Sequence, residues 1–218
     1  MVYDEQWNCC HTIKCVSKPH DVTQSEEGIL VTNPEVKQIE VFSTINSQKI
    51  RKFQKLRSIP VSYSVKKITS YEENLFVSIP NFILKIDNEG DIAILCKNET
   101  DICDVAATKR GLILMIQNPT SDYASGCVVA MNITGEKAWE HSVFDPYCLD
   151  VDSRENIYVT NMCENNVHVL SNLGNLIRII ENIPVPLFFK VNETRGTVCV
   201  GSGEKEVTVY KINCAYTS

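Results

Sequence analysis

The fold is decided by the stretch PYCLDVDSRENIYVTN at residues 146–161, which is followed by NNVHVL at 165–170 and NLGNLIRI at 172–179. Apolar and polar residues alternate in four short runs, and polar residues or a glycine separate each run from the next. Alternation with a period of two is typical of β-strands, and the separating residues are turn formers. The stretch therefore predicts one unit of four antiparallel strands.

The same unit recurs along the chain, which indicates a repeat architecture. The apolar residues that open successive units are Val22, Ile68, Val105, Val151 and Val191. Their spacings are 46, 37, 46 and 40 residues, with a mean near 42. That mean matches the roughly 40 to 50 residues of a β-propeller blade, in which each sheet needs neighbours to cover its faces. We predict an all-β propeller whose five four-stranded repeats span 18–58, 59–99, 100–142, 143–183 and 184–218.

The repeats leave a short N-terminal remainder and no linker, so we expect a single domain over residues 1–218. Residues 1–17 resemble a partial first blade. Residues 10–16 provide either the missing fourth strand of the fifth repeat, which closes a ring of five blades, or the outer half of a first blade on a six-bladed template.

The charge disfavours DNA as a partner but leaves one basic patch. The formal net charge is −6, whereas affinity for DNA comes from neutralising its phosphates. The basic patch consists of Lys49, Arg51, Lys52, Lys55 and Arg57. It is interpreted either as a solvated outer strand and turn or as a docking surface.

The N-terminus and the cysteines indicate a reduced, cytoplasmic protein. The first residues lack the basic and apolar regions of a signal peptide, and 10 cysteines in 218 residues are too few for a disulfide scaffold. No stretch is apolar enough to predict a membrane span. Since no Cys-x-x-Cys pair occurs, even around Cys9, Cys10 and His11, we expect no bound metal and no cofactor.

One charged residue comes directly before each opening apolar residue. These residues are Asp21, Lys67, Asp104, Asp150 and Lys190. In a propeller they lie at one level near the central channel, where a charge must be hydrated, paired or bound to an ion. Mutual pairing with structural hydrogen bonds is one interpretation, and a channel ion site is the other, which the two lysines disfavour.

Sequence spacing provides no catalytic constellation. The four histidines are His11, His20, His141 and His168, and no nucleophile elbow such as Gly-x-Ser-x-Gly accompanies them. His168 alternates with two valines, which predicts an outward strand position. We therefore expect a binding module and not an enzyme.

The residues at 150–151, 156–161, 165–170 and 172–175 resemble an NHL repeat, which builds six-bladed propellers. Residues 186–201 and 207–212 resemble the closing repeat of propellers that end invertebrate-type tripartite-motif (TRIM) E3 ubiquitin ligases. The RING, B-box and coiled coil of that family are not found here. The resemblance implies recognition of a protein partner or ubiquitination substrate. It also allows an RNA-binding propeller, or a metal-dependent lactonase-like hydrolase, as alternatives.

Loops that enter the first strand of each blade, or join its second and third strands, emerge on one face of a propeller. That predicted binding face carries aromatic and polar side chains, which suit protein recognition. Its members are His20, Asn33, Tyr63, Asn81, Tyr123, Tyr147, Asn161, Met162 and Phe188. The long loop at 118–126 is a further expected contact point.

Overall fold

The computed structural model describes residues 2–3, 9–11, 13–47, 50–118, 126–202 and 206–211, with side chains from 13–43, 53–118, 126–202 and 206–211. Almost all regular structure in these residues is β-strand, because the apolar alternation of the sequence places one face of each strand against a neighbouring sheet. No helix in these residues has the length and apolar character needed to cross a membrane.

The strands form successive antiparallel sheets that follow the predicted repeats. The first sheet contains β3 (Val22–Ser25), β4 (Gly28–Asn33), β5 (Gln38–Ser47) and β6 (Ile50–Pro60). The second contains β7 (Ile68–Tyr71), β8 (Asn74–Ile79), β9 (Phe82–Ile86) and β10 (Ile92–Lys97). The third contains β11 (Asp101–Ala107), β12 (Ile113–Asn118), β13 (Gly126–Met131) and β14 (Lys137–Val143).

The fourth sheet contains β15 (Pro146–Val151), β16 (Ile157–Asn161), β17 (Asn166–Leu170) and β18 (Leu176–Ile180). The fifth contains β19 (Pro186–Asn192), β20 (Thr197–Ser202) and β21 (Val207–Lys211). The sequence of this last repeat was expected to lack its own fourth strand, and its described residues form three strands. Single 3-10 turns lie at Pro34–Val36 and Glu193–Arg195.

The N-terminal residues form a small sheet of their own. Strand β1 (Val2–Tyr3) pairs with β2 (Cys9–His11), so that Val2 lies opposite His11. Of the two predicted uses of this segment, completing the fifth sheet is not seen among the described residues, where β21 is the outermost strand of that sheet.

Contacts divide the chain into two compact units. Unit 1 consists of Met1–Ile79 and Ile83–Ile94, and unit 2 consists of Pro80–Phe82 and Leu95–Ser218. The first sheet therefore belongs to unit 1, whereas the third, fourth and fifth sheets belong to unit 2.

Within unit 2 the fourth sheet buries one face against each neighbouring sheet. The cluster against the third sheet contains Leu114, Ile116, Val128, Ala130, Val143, Leu149, Ile157, Val159 and Leu170. The cluster against the fifth sheet contains Cys148, Tyr158, Val167, Val169, Ile183, Phe189, Val198 and Val200. Neighbouring residues of β16 alternate between the two clusters, as the period of a strand requires. Full burial of each large apolar side chain contributes about 1.5–3 kcal/mol.

The turn between β13 and β14 is held in one conformation by side-chain hydrogen bonds and by a glycine. At Asn132 the side-chain oxygen accepts the backbone N–H of Thr134 at 3.0 Å and of Glu136 at 3.0 Å. Asx turns of this type satisfy backbone donors that a tight turn leaves unpaired. Gly135 follows with φ +89°, and a Cβ there would lie 2.4 Å from the Leu95 carbonyl oxygen, so that only glycine fits.

Within unit 1 a buried carboxylate ties residues 13–17 to the first sheet. The Glu40 side chain is 1% exposed, and its Oε1 lies 2.5 Å from Lys55 Nζ. Its Oε2 accepts hydrogen bonds from Asn33 Nδ2 at 2.9 Å and from the Val16 backbone N–H at 3.2 Å. A buried charge is tolerated only when it is paired and hydrogen-bonded, and this carboxylate has both kinds of partner.

Replacing Glu40 with alanine should lower the free energy of unfolding by about 1–3 kcal/mol, because Asn33 and the Val16 N–H lose their acceptor. Glu35→Ala is the matched control, since Glu35 is exposed. Chemical denaturation of both variants measures the effect. Equal midpoints for the two variants would contradict the structural role of Glu40.

Candidate protein-binding surface

Three of the predicted channel charges connect neighbouring sheets. Asp104 Oδ2 accepts the backbone N–H of Leu149 at 2.8 Å, and Asp150 Oδ2 accepts that of Val191 at 2.7 Å. In unit 1, Asp21 Oδ2 likewise accepts the N–H of Ile68 at 3.0 Å. Each donor belongs to the first strand of the next sheet, or to its start. We call Asp21, Asp104 and Asp150 the inter-sheet aspartates.

Lys67 and Lys190 occupy the position of the inter-sheet aspartates in their own repeats, and they have different contacts. The Lys190 ammonium pairs with Asp150 Oδ1, while 62% of the lysine side chain remains exposed. Lys67 is half-buried, and its backbone N–H donates to Ser78 Oγ at 3.1 Å. Lys190 is thus paired with a carboxylate of the neighbouring sheet, whereas the contact shown for Lys67 involves its backbone.

The sequence interpretation missed a hydroxyl that accompanies several of these first strands. Thr160 Oγ1 accepts the Cys148 N–H at 2.9 Å, and Thr32 Oγ1 accepts the Asp21 N–H at 2.9 Å. The β15 register shifts between Pro146 and Leu149, which leaves that N–H without a ladder partner. The sequence signal that would have found it is a Ser or Thr directly after the apolar residues of the second strand of a repeat, as Thr160 follows Val159 in β16.

The structure places the members of the predicted binding face in different environments. Asn33 and Asn161 are fully buried, so they lie behind the surface and not on it. Asn81 is half-buried, and its Nδ2 lies 3.5 Å from the Asn98 carbonyl. In unit 1, His20 is exposed and Tyr63 is 48% exposed.

Unit 2 retains the aromatic part of the predicted face. Tyr147 is 41% and Phe188 48% exposed, and Met162 is half-buried. Two neighbours that the sequence interpretation missed are also exposed, namely Phe144 at 43% and Val185 at 40%. We call these five residues the rim surface, because they lie at the starts of β15 and β19 and in the β16–β17 connection. Tyr123 and the loop at 119–125 lie outside the described residues.

Hydrogen bonds join the segments of the rim surface. The Val185 N–H donates to Asn165 Oδ1 at 2.8 Å, which fixes the approach to β19 against the β16–β17 connection. In that connection, Asn161 Nδ2 donates to Glu164 Oε2 at 2.8 Å, and the Glu164 N–H donates to Asn161 Oδ1 at 3.1 Å. Buried Asn161 therefore shapes the surface without forming part of it.

A buried carboxylate supports the residues next to Tyr147. Asp145 is 3% exposed and has φ +46°, a left-handed conformation that places Phe144 and Tyr147 on either side of a sharp turn. Its backbone oxygen accepts the Met162 N–H at 3.2 Å, and its Oδ2 accepts from Cys163 Sγ at 3.2 Å. The hydrogen bond to this carboxylate raises the pKa of the exposed Cys163 thiol, which disfavours its reactive thiolate form.

The two residues of the basic patch whose side chains are described, Lys55 and Arg57, form ion pairs with acidic side chains. Lys55 pairs with buried Glu40, and Arg57 Nη2 lies 2.9 Å from both carboxylate oxygens of Glu27. Lys49 and the side chains of Arg51 and Lys52 lie outside the described part. The two described cations are therefore partly neutralised within unit 1.

Two histidines lie together between the third and fourth sheets. The rings of His141 on β14 and His168 on β17 are 6.0 Å apart, in an edge-to-face arrangement. Burial lowers the pKa of both imidazoles, and neither ring nitrogen of His168 has a hydrogen-bond partner among the described residues. His168 thus lies inward, and the prediction of an outward position was wrong. In the described residues, no group of three or more His, Cys, Asp or Glu side chains could hold a metal ion.

Comparison with known proteins identifies the fold. No protein-family profile and no curated protein matches the sequence. A structure of streptogramin B lyase is similar, with a TM-score of 0.64 and 15% identity over 91% of this chain and 70% of that chain. A catalytically inactive virginiamycin B lyase from Staphylococcus aureus, solved with quinupristin, has a TM-score of 0.61 and 16% identity over 89% of this chain and 70% of that chain.

A third similar structure is a protein of unknown function from Bacteroides caccae, with a TM-score of 0.56 and 11% identity over 89% of this chain and 69% of that chain. At such identities the likeness concerns the fold alone. Together with the series of antiparallel sheets, it shows that the chain has the β-propeller fold predicted from the sequence. A shared fold does not by itself assign a shared function.

Replacing Asp104 with alanine should destabilise unit 2 by about 1–3 kcal/mol, because the buried Leu149 N–H loses its acceptor. Asp104→Asn retains an acceptor and should lose less. Asp101→Ala, an exposed position on the same strand, is the control. Urea denaturation compares the three variants, and an alanine variant no weaker than the asparagine variant would refute the role of this hydrogen bond.

Stability should fall as the pH drops below about 6.5, the ordinary pKa of histidine. Burial lowers the pKa of His141 and His168 in the folded protein, so the unfolded chain binds more protons in that range. Glu164 opposes this effect at His168. We expect His168→Phe to flatten the pH dependence of the melting temperature between about pH 7 and pH 5, the range in which an ordinary histidine takes up its proton. An unchanged slope of melting temperature against pH in His168→Phe would contradict the role of this histidine. The control is His20→Gln, because His20 is exposed.

Proposed function

We propose that this propeller is a protein-interaction module that binds its partner through the rim surface. The observation that carries the proposal is the exposure of Phe144, Tyr147 and Phe188, each more than 40% exposed, on segments fixed by hydrogen bonds. Exposed aromatic side chains are favoured as interaction hot spots, because they bury a large apolar area at little cost in side-chain entropy.

The environment of these aromatic residues supports a protein partner. Glu164 and Asn165 are exposed beside the rim surface, so polar side chains adjoin its aromatic side chains. Such a mixture is typical of protein interfaces, whose apolar centre is surrounded by a polar margin. The hydrogen bonds within the connection at 161–166 also reduce the ordering cost of binding.

The finer identity that we propose is an NHL-type propeller used for substrate recognition, as in the TRIM ligases that the sequence resembles. The Asn-Ile-Tyr-Val-Thr-Asn run at 156–161, to which Gly-Ile-Leu-Val-Thr-Asn at 28–33 is similar, supports this assignment. Binding of RNA is less favoured, because Lys55 and Arg57 are paired with Glu40 and Glu27. A non-catalytic role is supported by the surroundings of His168, which has no carboxylate to orient its ring among the described residues.

The proposal is tested by quantitative affinity purification from lysate with the wild-type chain and a Tyr147→Ala/Phe188→Ala variant. Loss of both aromatic side chains should weaken partner binding by about 2 kcal/mol or more, because each is a candidate hot spot. Both positions are exposed, so the melting temperature should change little.

The matched control is Ile133→Ala, which removes a 38% exposed apolar side chain from a turn outside the rim surface. A partner that survives nuclease, is lost with the double variant and is retained with the control supports the proposal. A partner released by nuclease would instead establish RNA as the ligand. Partners bound equally by all three chains would refute the rim surface as the binding site.

A further inference from the structure

The three chain segments that form the rim surface carry negative charge and no base. These segments of unit 2 are 143–147, 161–166 and 181–188. They contain Asp145, Glu164 and Glu181 but no lysine, arginine or histidine. Glu164 and Glu181 are exposed, so their carboxylates are open to a partner. A surface whose charges all have one sign attracts groups of the opposite sign, and the rim surface therefore favours a cationic partner.

The Glu164 carboxylate is fixed at this surface but is not neutralised. Its Oε2 accepts hydrogen bonds from the side-chain amides of Asn161 at 2.8 Å and Asn166 at 3.3 Å. Both asparagines are buried, and both are uncharged. Within the described part of the chain, Glu164 forms no ion pair and its Oε1 accepts no hydrogen bond. Neutral donors thus set the position of this carboxylate, while its charge and one of its oxygens remain available.

Buried Asp145 adds a second carboxylate that lacks a cation. Its Oδ1 has no hydrogen-bond partner among the residues that the structure describes, and its Oδ2 accepts from the Cys163 thiol, a weak donor, at 3.2 Å. No lysine or arginine pairs with it in those residues. A buried charge without a partner is costly, so a cation bound nearby would stabilise it. Because Asp145 lies between Phe144 and Tyr147 in the chain, its charge adjoins the aromatic side chains.

The aromatic side chains of the rim surface suit a cation as well. Tyr147 is 41% and Phe188 48% exposed. The Met162 N–H donates to the Asp145 carbonyl oxygen at 3.2 Å, which holds the β16–β17 connection beside the start of β15. An aromatic ring attracts a cation over its face, and it attracts arginine more often than lysine because the planar guanidinium group also stacks. The same group can donate two parallel hydrogen bonds to a carboxylate.

We propose that the rim surface recognises an extended protein segment that carries arginine next to apolar residues. The guanidinium group donates to the Glu164 carboxylate and packs against an aromatic ring of the rim surface, while the apolar neighbours cover exposed groups such as Phe188 and Val185. This inference rests on the function proposed above, because it names the chemical class of partner for the same surface. A nucleic acid fits the rim surface poorly, since its phosphates would meet carboxylates.

The test uses the full chain and a fluorescent, end-capped heptapeptide of alternating leucine and arginine. Binding is followed by fluorescence anisotropy, and the site by ¹H–¹⁵N spectra of the labelled protein. We expect saturable binding, with the largest shifts at the amides of Tyr147, Glu164 and Phe188. A peptide with glutamate in place of arginine should not bind. A peptide with lysine should bind more weakly, because an ammonium group cannot form two parallel hydrogen bonds to a carboxylate.

Two variants examine the charge requirement. Glu164→Gln should weaken binding of the arginine peptide by about tenfold or more, the loss expected for a hydrogen bond between charged groups. Glutamine keeps an oxygen that can accept from Asn161 and Asn166, so the conformation of the connection is preserved. Glu136→Gln is the matched control, because it removes the same charge from an exposed position on the β13–β14 turn, outside the rim surface. Its affinity should equal that of the wild-type chain, which excludes attraction by net charge alone.

The proposal is overturned by any of three results: no binding of the arginine peptide, equal affinity of the glutamate peptide, or unchanged affinity in Glu164→Gln. Shifts confined to residues outside the rim surface would also overturn it. The lysate purification separates this failure from failure of the proposed function. Partners that are lost with Tyr147→Ala/Phe188→Ala but bound normally by Glu164→Gln would keep the rim surface and reject the arginine contact, whereas partners bound equally by every variant would reject both.

Discussion

The fourth sheet of this protein has two apolar faces, and the need to bury one against the third sheet and the other against the fifth is the constraint on which unit 2 depends. Val159 packs toward the third sheet, whereas Tyr158 stacks on Phe189 of the fifth sheet at 5.3 Å. A shift of one residue in the register would exchange these faces, so the strand pairing is strongly determined.

The strands could be predicted because this constraint is visible in the sequence. The runs that contain Val77, Val129, Val159 and Val200 all lie in strands, and the β-propeller fold agrees with the solved structures that resemble it. The role of Glu40 could not be predicted in this way, because a glutamate within an apolar strand resembles a solvent-facing residue. Its burial depends on Lys55, which lies on the next strand.

The candidate surface was predicted only in part, for a related reason. Asn33 and Asn161 follow apolar runs and have the character of turn residues, but both are buried as hydrogen-bonding residues at strand ends. Phe144 has the character of a core residue, yet it is exposed beside the left-handed Asp145. Residue type predicted the chemistry of these positions, whereas backbone conformation decided their exposure.

The inter-sheet aspartates have a consequence for how such a chain can change over evolutionary time. The third repeat carries the acceptor Asp104 for its successor, and the fourth repeat carries both the donor Leu149 and its own acceptor Asp150. A gene duplication that copies one repeat therefore copies both halves of the connection. Duplication of the fourth repeat would therefore add a sheet whose hydrogen bonds to both neighbours are already encoded in the copied sequence.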